Sequence, residues 1–247
     1  MATTDIAVIK PGAFLALNHA GAETREIIEE LCGGQELTER HLPRAKNPSG
    51  GATQWQIPGP GGVESVGEIA GILVAFKFIR ALWREKDDNG KKIALGSEPP
   101  RCSSTGPDTR AIGIGEPGGP CKTCPLNAFG SSANGRGKAC KERELWFMLR
   151  DHSFMPLVVQ MPTMSLGATQ EYRMSTLGSI GVRATSVVTQ VTLTPGSNDE
   201  GDYAIAVPRM VGMLDPDEAA RAREYGQQFT TAFDAITAET IDDDTES

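Results

Sequence analysis

Aromatic side chains are scarce in this sequence, at 6% of 247 positions, with three Trp, three Tyr and eight Phe. Any surface that works by ring stacking is therefore limited to a handful of residues. Histidine is scarcer still: His19, His41 and His152 are scattered, and no His-x-Glu or His-Glu-x-x-His occurs. That disfavours a catalytic zinc, which usually draws on His ligands. Long apolar runs are also missing. The longest, 69–76, is followed by Lys77 and Arg80, short of the ~20 residues a membrane-spanning helix needs. The N-terminus has neither the basic start nor the apolar core of a secretory signal, so a cytoplasmic location is expected. No paired-carboxylate motif, phosphate-binding loop or Ser/His/Asp set is present, and Gly113-x-Gly115 precedes Pro117 rather than joining a strand to a helix. These absences point to a protein that is not an enzyme.

A net positive charge is lacking too. The sum is −8, which taken alone argues against a nucleic-acid partner. Its distribution argues otherwise. Residues 1–79 carry a net −3, residues 80–143 a net +5, residues 144–198 zero and residues 199–247 a net −10. A basic middle and an acidic end suit a polyanion-binding region followed by an acidic tail.

What is present supports a folded chain. Apolar residues make up 39%, enough for a core. The 28 Gly and 16 Pro imply many turns and short strands. Four of the five cysteines fall close together, as Cys102-x18-Cys121-x2-Cys124-x15-Cys140; the fifth, Cys32, lies on a predicted helix as a core thiol. Two residues between Cys121 and Cys124 allow a tight turn that faces both sulfurs toward one ion. Four thiolates complete the tetrahedron of a structural zinc and leave no open position for catalysis. The segment around them is rich in Gly and Pro and poor in large apolar residues. Burial alone cannot offset its ordering entropy, and a metal cross-link would supply the difference. Disulfides need an oxidising compartment, and a redox Cys-x2-Cys needs a thioredoxin-like unit that is not visible here. Unliganded thiols and an iron–sulfur cluster are the remaining alternatives.

Periodicity predicts a helix over 22–32, with Ile27, Ile28 and Leu31 on its apolar face and Gly33-Gly34 as its stop. The rest of 1–66 reads as an irregular N-terminal arm. Strands are expected at 71–83, 145–149, 156–161, 182–194 and 203–210. Helices are expected at 165–177, between the third and fourth strands, and at 215–236. The fold class is mainly β (α+β). The element order is that of an OB-fold, a five-stranded Greek-key barrel, with a zinc-binding insertion over 97–143. The expected organisation is an N-terminal arm (1–66), an OB-fold-like nucleic-acid-binding domain (67–212), a C-terminal helix (213–237) and an acidic disordered tail (238–247).

Single-strand binding combines cations along the phosphates with rings stacked on bases. The candidate contacts are Phe76, Lys77, Phe78, Arg80, Trp83, Arg84, Lys122, Arg136, Lys138, Lys141, Arg143 and Trp146. Two roles stay open for Trp83 and Trp146, base stacking or core packing. Phe129 is either a further ring or a cap on the zinc site.

The pattern Leu82-Trp83, Pro100-Arg-Cys102-Ser-Ser, Cys121-x2-Cys124-Pro125-x4-Gly130-Ser131, Gly137-Lys138-x-Cys140-Lys141 and Pro162-Thr-x-Ser165 resembles a family of bacteriophage and prophage proteins. These are associated with replication and recombination genes and regarded as single-stranded-DNA-binding-like. The resemblance covers roughly residues 70–195. It implies Cys102, Cys121, Cys124 and Cys140 as Zn2+ ligands, single-stranded DNA as partner, and the host cytoplasm as location if the chain is phage-encoded. The acidic tail is suited to occupy a basic groove or to recruit replication and recombination proteins; the plain alternative is a solubilising tail. The competing function is a zinc-stabilised adaptor between proteins.

Overall fold

Val/Ile-rich stretches become strands and Gly/Pro-rich stretches become turns, giving a mixed α+β fold that is mostly sheet. The computed structural model describes residues 7–8, 12–19, 21–48, 50–59, 61–84, 91, 93, 98–107, 109–199 and 201–237. The acidic tail expected at 238–247 lies outside the described residues. Among those described, no helix is long and apolar enough to cross a membrane.

The arm supplies β1 (Ala7–Val8), α1 (Gly21–Leu31), β2 (Arg44–Ala45), β3 (Trp55–Gly59) and β4 (Gly62–Val66). The predicted face of α1 is rotated. Thr24, Ile28 and Cys32 are buried at four-residue spacing, while Leu31 is exposed. Gly33 and Gly34 stop the helix as expected, both at positive φ, with Gly34 N–H donating to the Glu29 carbonyl. Next comes β5 (Glu68–Leu82), then the short strands β6 (Cys102–Thr105), β7 (Ile112–Gly115) and β8 (Gly119–Pro120). After them run β9 (Lys141–Leu149), β10 (Leu157–Met161), α2 (Leu166–Glu171, continuing as one π turn over Tyr172–Leu177), β11 (Val187–Asn198) and β12 (Gly201–Met213). The chain then forms α3 (Pro216–Gln228) and α4 (Thr230–Ala235). The helix expected over 215–236 is thus broken at Phe229. Its start is as predicted: Asp215 caps the Glu218 N–H at 2.8 Å, with Pro216 in the first turn.

Two compact units result, Met1–Phe76 with Trp146–Phe233, and Lys77–Leu145 with Asp234–Ser247. In the first, β11 pairs antiparallel with β12 along its length and with Glu68–Ile72 of β5. The ladder shifts register between Val188 and Thr189, a bulge that passes Val211 of β12. β9 pairs with β5 and with β10. The free edges of β10 and β12 are each taken by a short parallel strand, β2 and β1 respectively. The five long strands therefore form no closed barrel: β10 and β12 do not pair among the described residues. The barrel expected from element order is corrected to an open sheet, because arm strands occupy the edges that would have to meet.

The run 145–149 is fully buried, as a strand covered on both faces must be. Trp146 and Met148 enter a core with Trp55, Ile57, Ile69, Leu73, Leu157, Val159, Tyr172 and Val191. Phe147 points the other way and stacks on Phe233 of α4, with ring centroids 3.8 Å apart. Trp55 and Ile57 show that the arm contributes core side chains.

Candidate metal centre and nucleic-acid interface

In the second unit, Ile79–Leu82 of β5 pairs with β6, β6 with β7, and β7 with β8. Cys102 opens β6 opposite Leu82 and Gly115. Cys121 and Cys124 follow β8 on successive tight turns, with the Cys124 N–H donating to the Cys121 carbonyl. Cys140 immediately precedes β9, and its N–H donates to the Leu126 carbonyl. These local bonds converge. Cys102, Cys121, Cys124 and Cys140 line one cavity of about 20 Å³, together with Ser104, Gly113 and Asn127. A space of that size holds roughly one small ion or water. Gly113 is required there, since a Cβ would stand 2.7 Å from the Cys102 sulfur.

Four thiol donors are the set that a soft divalent cation takes. The Cys121 thiol donates to Ser104 Oγ at 3.1 Å, and Asn127 Nδ2 donates to the Cys121 carbonyl at 3.0 Å. Burial pushes the Cys140 thiol up to about 11, and the neighbouring Cys121, Cys102 and Cys124 push in the same direction. A cation among the sulfurs would reverse that electrostatics and hold them as thiolates. All five cysteines are free of disulfides. Among the described residues, no three His, Cys, Asp or Glu side chains are gathered as a ready-made metal cage. The donor set converges on one cavity without being closed onto one point.

The proposed nucleic-acid contacts divide sharply. Trp146 has no exposed surface and belongs to the core of the first unit. Arg80 is only 2% exposed. Its guanidinium donates to Glu142 and to the Gly106 carbonyl, both at 2.6 Å. Lys77 donates to the Asp234 and Ile236 carbonyls, and burial pushes its pKa down against the opposing charge of Asp234. Trp83 is half-buried, with its indole Nε1 enclosed and without a hydrogen-bond partner among the described residues. Phe78 is half-buried. Phe76 lies in the first unit, exposed, with the Arg173 guanidinium 4.5 Å from its ring centre. Arg84, Lys122, Arg136 and Lys141 are exposed; Arg143 and Lys138 are half-buried, and Lys138 donates to Asn127 Oδ1.

Side chains outside the predicted set also stand on this unit. Ile112 and Ile114 are 58% and 77% exposed on the outer face of β7, and Phe129 is 80% exposed. Phe129 does not line the thiol cavity, so it is no cap on it. The Ile-Gly-Ile-Gly alternation of 112–115 carried the signal for the isoleucines: Gly113 is buried and Gly115 holds a positive φ, leaving both Ile exposed. Arg110 is exposed, and Arg101 pairs with Glu116 at 3.1 Å.

The histidines are held by their neighbours. His19 contacts Glu23 at 3.0 Å, His41 Nδ1 accepts the Thr38 N–H, and His152 lies 3.7 Å from Asp151. In comparisons with family models, curated proteins and solved structures, the chain matches none.

Proposed function

We propose that the chain is a non-enzymatic, cytoplasmic single-stranded-DNA-binding protein, of the phage type its motifs resemble. In this reading the basic module is held by a structural zinc. The observation that carries it is the thiol-lined cavity within a strongly biased stretch of charge. Residues 117–141 hold Lys122, Arg136, Lys138 and Lys141 and no acidic residue. Zinc, when bound by Cys102, Cys121, Cys124 and Cys140, supplies a cross-link that fixes this stretch. The tetrathiolate would carry −2 beneath the surface, and the four cations outweigh it.

The sheet supports the same reading. Pairings β5–β9, β9–β10, β5–β11 and β11–β12, with a helical segment between β10 and β11, support an OB-like reading in which the sheet stays open. Lys122, Arg136, Lys138, Lys141, Arg143 and Arg84 take the phosphate-binding role. Arg80 and Trp146 take structural roles. The test is the affinity of the full chain for oligo-dT against salt, alongside metal content by elemental analysis. Four to six phosphate contacts would give a slope of about −3 to −4 in log K against log salt. No binding at low salt by a zinc-loaded protein would sink the proposal.

A protein adaptor is favoured by one observation, the exposed Ile112 and Ile114 on one face of β7. Pull-down of a replication or recombination protein without any oligo-dT shift would select it.

A further inference from the structure

Phe129 stands out as the most exposed large apolar side chain described. A lone exposed ring is ordinary on a protein surface. This one sits on a loop built to hold it still. Gly130 N–H and Ser132 N–H both donate to the Gly137 carbonyl, and Gly135 N–H donates to the Ser132 carbonyl. Ser131 Oγ donates to the Leu126 carbonyl and accepts the Ala139 N–H. Ser132 Oγ accepts the Gly137 N–H, and Asn134 Oδ1 accepts the Arg136 N–H. Gly130 and Gly135 hold positive φ, +86° and +70°, where a side chain would be strained. The loop thus spends its polar groups on itself and leaves its one ring outward.

We infer that Phe129 is a base-stacking ring for single-stranded nucleic acid, with the exposed Lys122, Arg136 and Lys141 of the same acid-free stretch meeting the phosphates. This rests on the single-strand-binding function proposed above and names its stacking contact. Charge complementarity selects the occupant. The stretch that carries the ring, 117–141, holds four cations and no carboxylate, which suits a polyanion carrying flat bases. Every base has a π-face, so the contact tolerates any sequence. A rigid ring also costs little entropy on binding, having only two side-chain torsions to fix.

The experiment uses the full zinc-loaded chain and a fluorescein-labelled dT oligonucleotide, read by anisotropy. Phe129→Ala should weaken binding by about 5- to 150-fold while leaving the salt slope unchanged, because a ring releases no counterions. Phe129→Trp should bind like wild type, and its new indole fluorescence should be quenched by unlabelled oligonucleotide. Unchanged metal content in both variants would show that the module is intact. If wild type binds but Phe129→Ala binds equally well and Phe129→Trp is not quenched, the stacking role is overturned while single-strand binding stands. If wild type itself does not bind, both fall.

Discussion

Arg80 and Trp146 carry the residue types that nucleic-acid contacts use, and both are buried. Type alone does not decide the role; neighbours do. Arg80 pairs with Glu142 and a carbonyl, and removing one partner of a buried pair leaves the other uncompensated. Arg80→Ala should therefore lower unfolding stability by about 3 kcal/mol, measured by urea titration, with the salt slope of oligonucleotide binding unchanged. A loss of slope without a loss of stability would return Arg80 to the phosphate contacts. Trp146→Ala should cost about 3–5 kcal/mol, as for a large aromatic removed from a packed core. The sequence left Trp146 open between core and surface because alternation is silent where a strand is covered on both faces. In the run 145–149 every residue is apolar, so no polar face marks the outside. Phe129 was legible only as a ring in a loop, since exposure depends on the hydrogen bonds that the loop makes to itself.

At the scale of elements, the five apolar strands β5, β9, β10, β11 and β12 were legible, whereas the β3–β4 hairpin in the segment read as an irregular arm and the short strands β6, β7 and β8 were not. Nor were the edges of the sheet. β1 and β2 are two residues each, too short to show any periodicity, yet they occupy the edges that a closed barrel would join. The break in the last helix at Phe229 was hidden for a related reason: Tyr225, Phe229 and Phe233 keep helical spacing across it. The cysteine module was legible from spacing, and Gly113 within it was not, since its role is set by the Cys102 sulfur across the strand pair. Gly113→Ala should reduce zinc affinity at least tenfold in a competition titration with a chelator. An unchanged affinity would mean that the cavity wall can move. Alkaline stability gives a second test. The folded Cys140 thiol is raised from 9.0 to about 11, so in metal-free protein its contribution is complete below pH 9 and is lost as pH rises from about 9 through 11. Buried Tyr172 and Tyr225 are also raised, adding to the loss above pH 10. The zinc-loaded protein keeps the tyrosine part alone, because its thiols are already deprotonated. Melting curves from pH 8 to 11, with and without chelator, should diverge above pH 9; parallel curves would argue against thiolate ligation.

For the whole molecule, the charge of −8 misleads and its division along the chain informs. The cations gather in Lys77–Leu145, which forms one compact unit together with Asp234–Ser247. Chelation or Cys124→Ser should raise amide exchange over 100–142 while β11 and β12 stay protected; exchange spreading equally through both units would contradict a local role for zinc. On the single-strand-binding proposal, deleting 238–247 should leave oligonucleotide affinity equal or tighter, since that segment adds only acidic charge. The most direct measurement is the affinity of the zinc-loaded full chain for oligo-dT from about 50 to 200 mM salt. Single-strand binding through the basic module predicts tight binding at the low end, falling with a log–log slope of about −3 to −4. Absence of binding at the low end, with stoichiometric zinc confirmed, would contradict it.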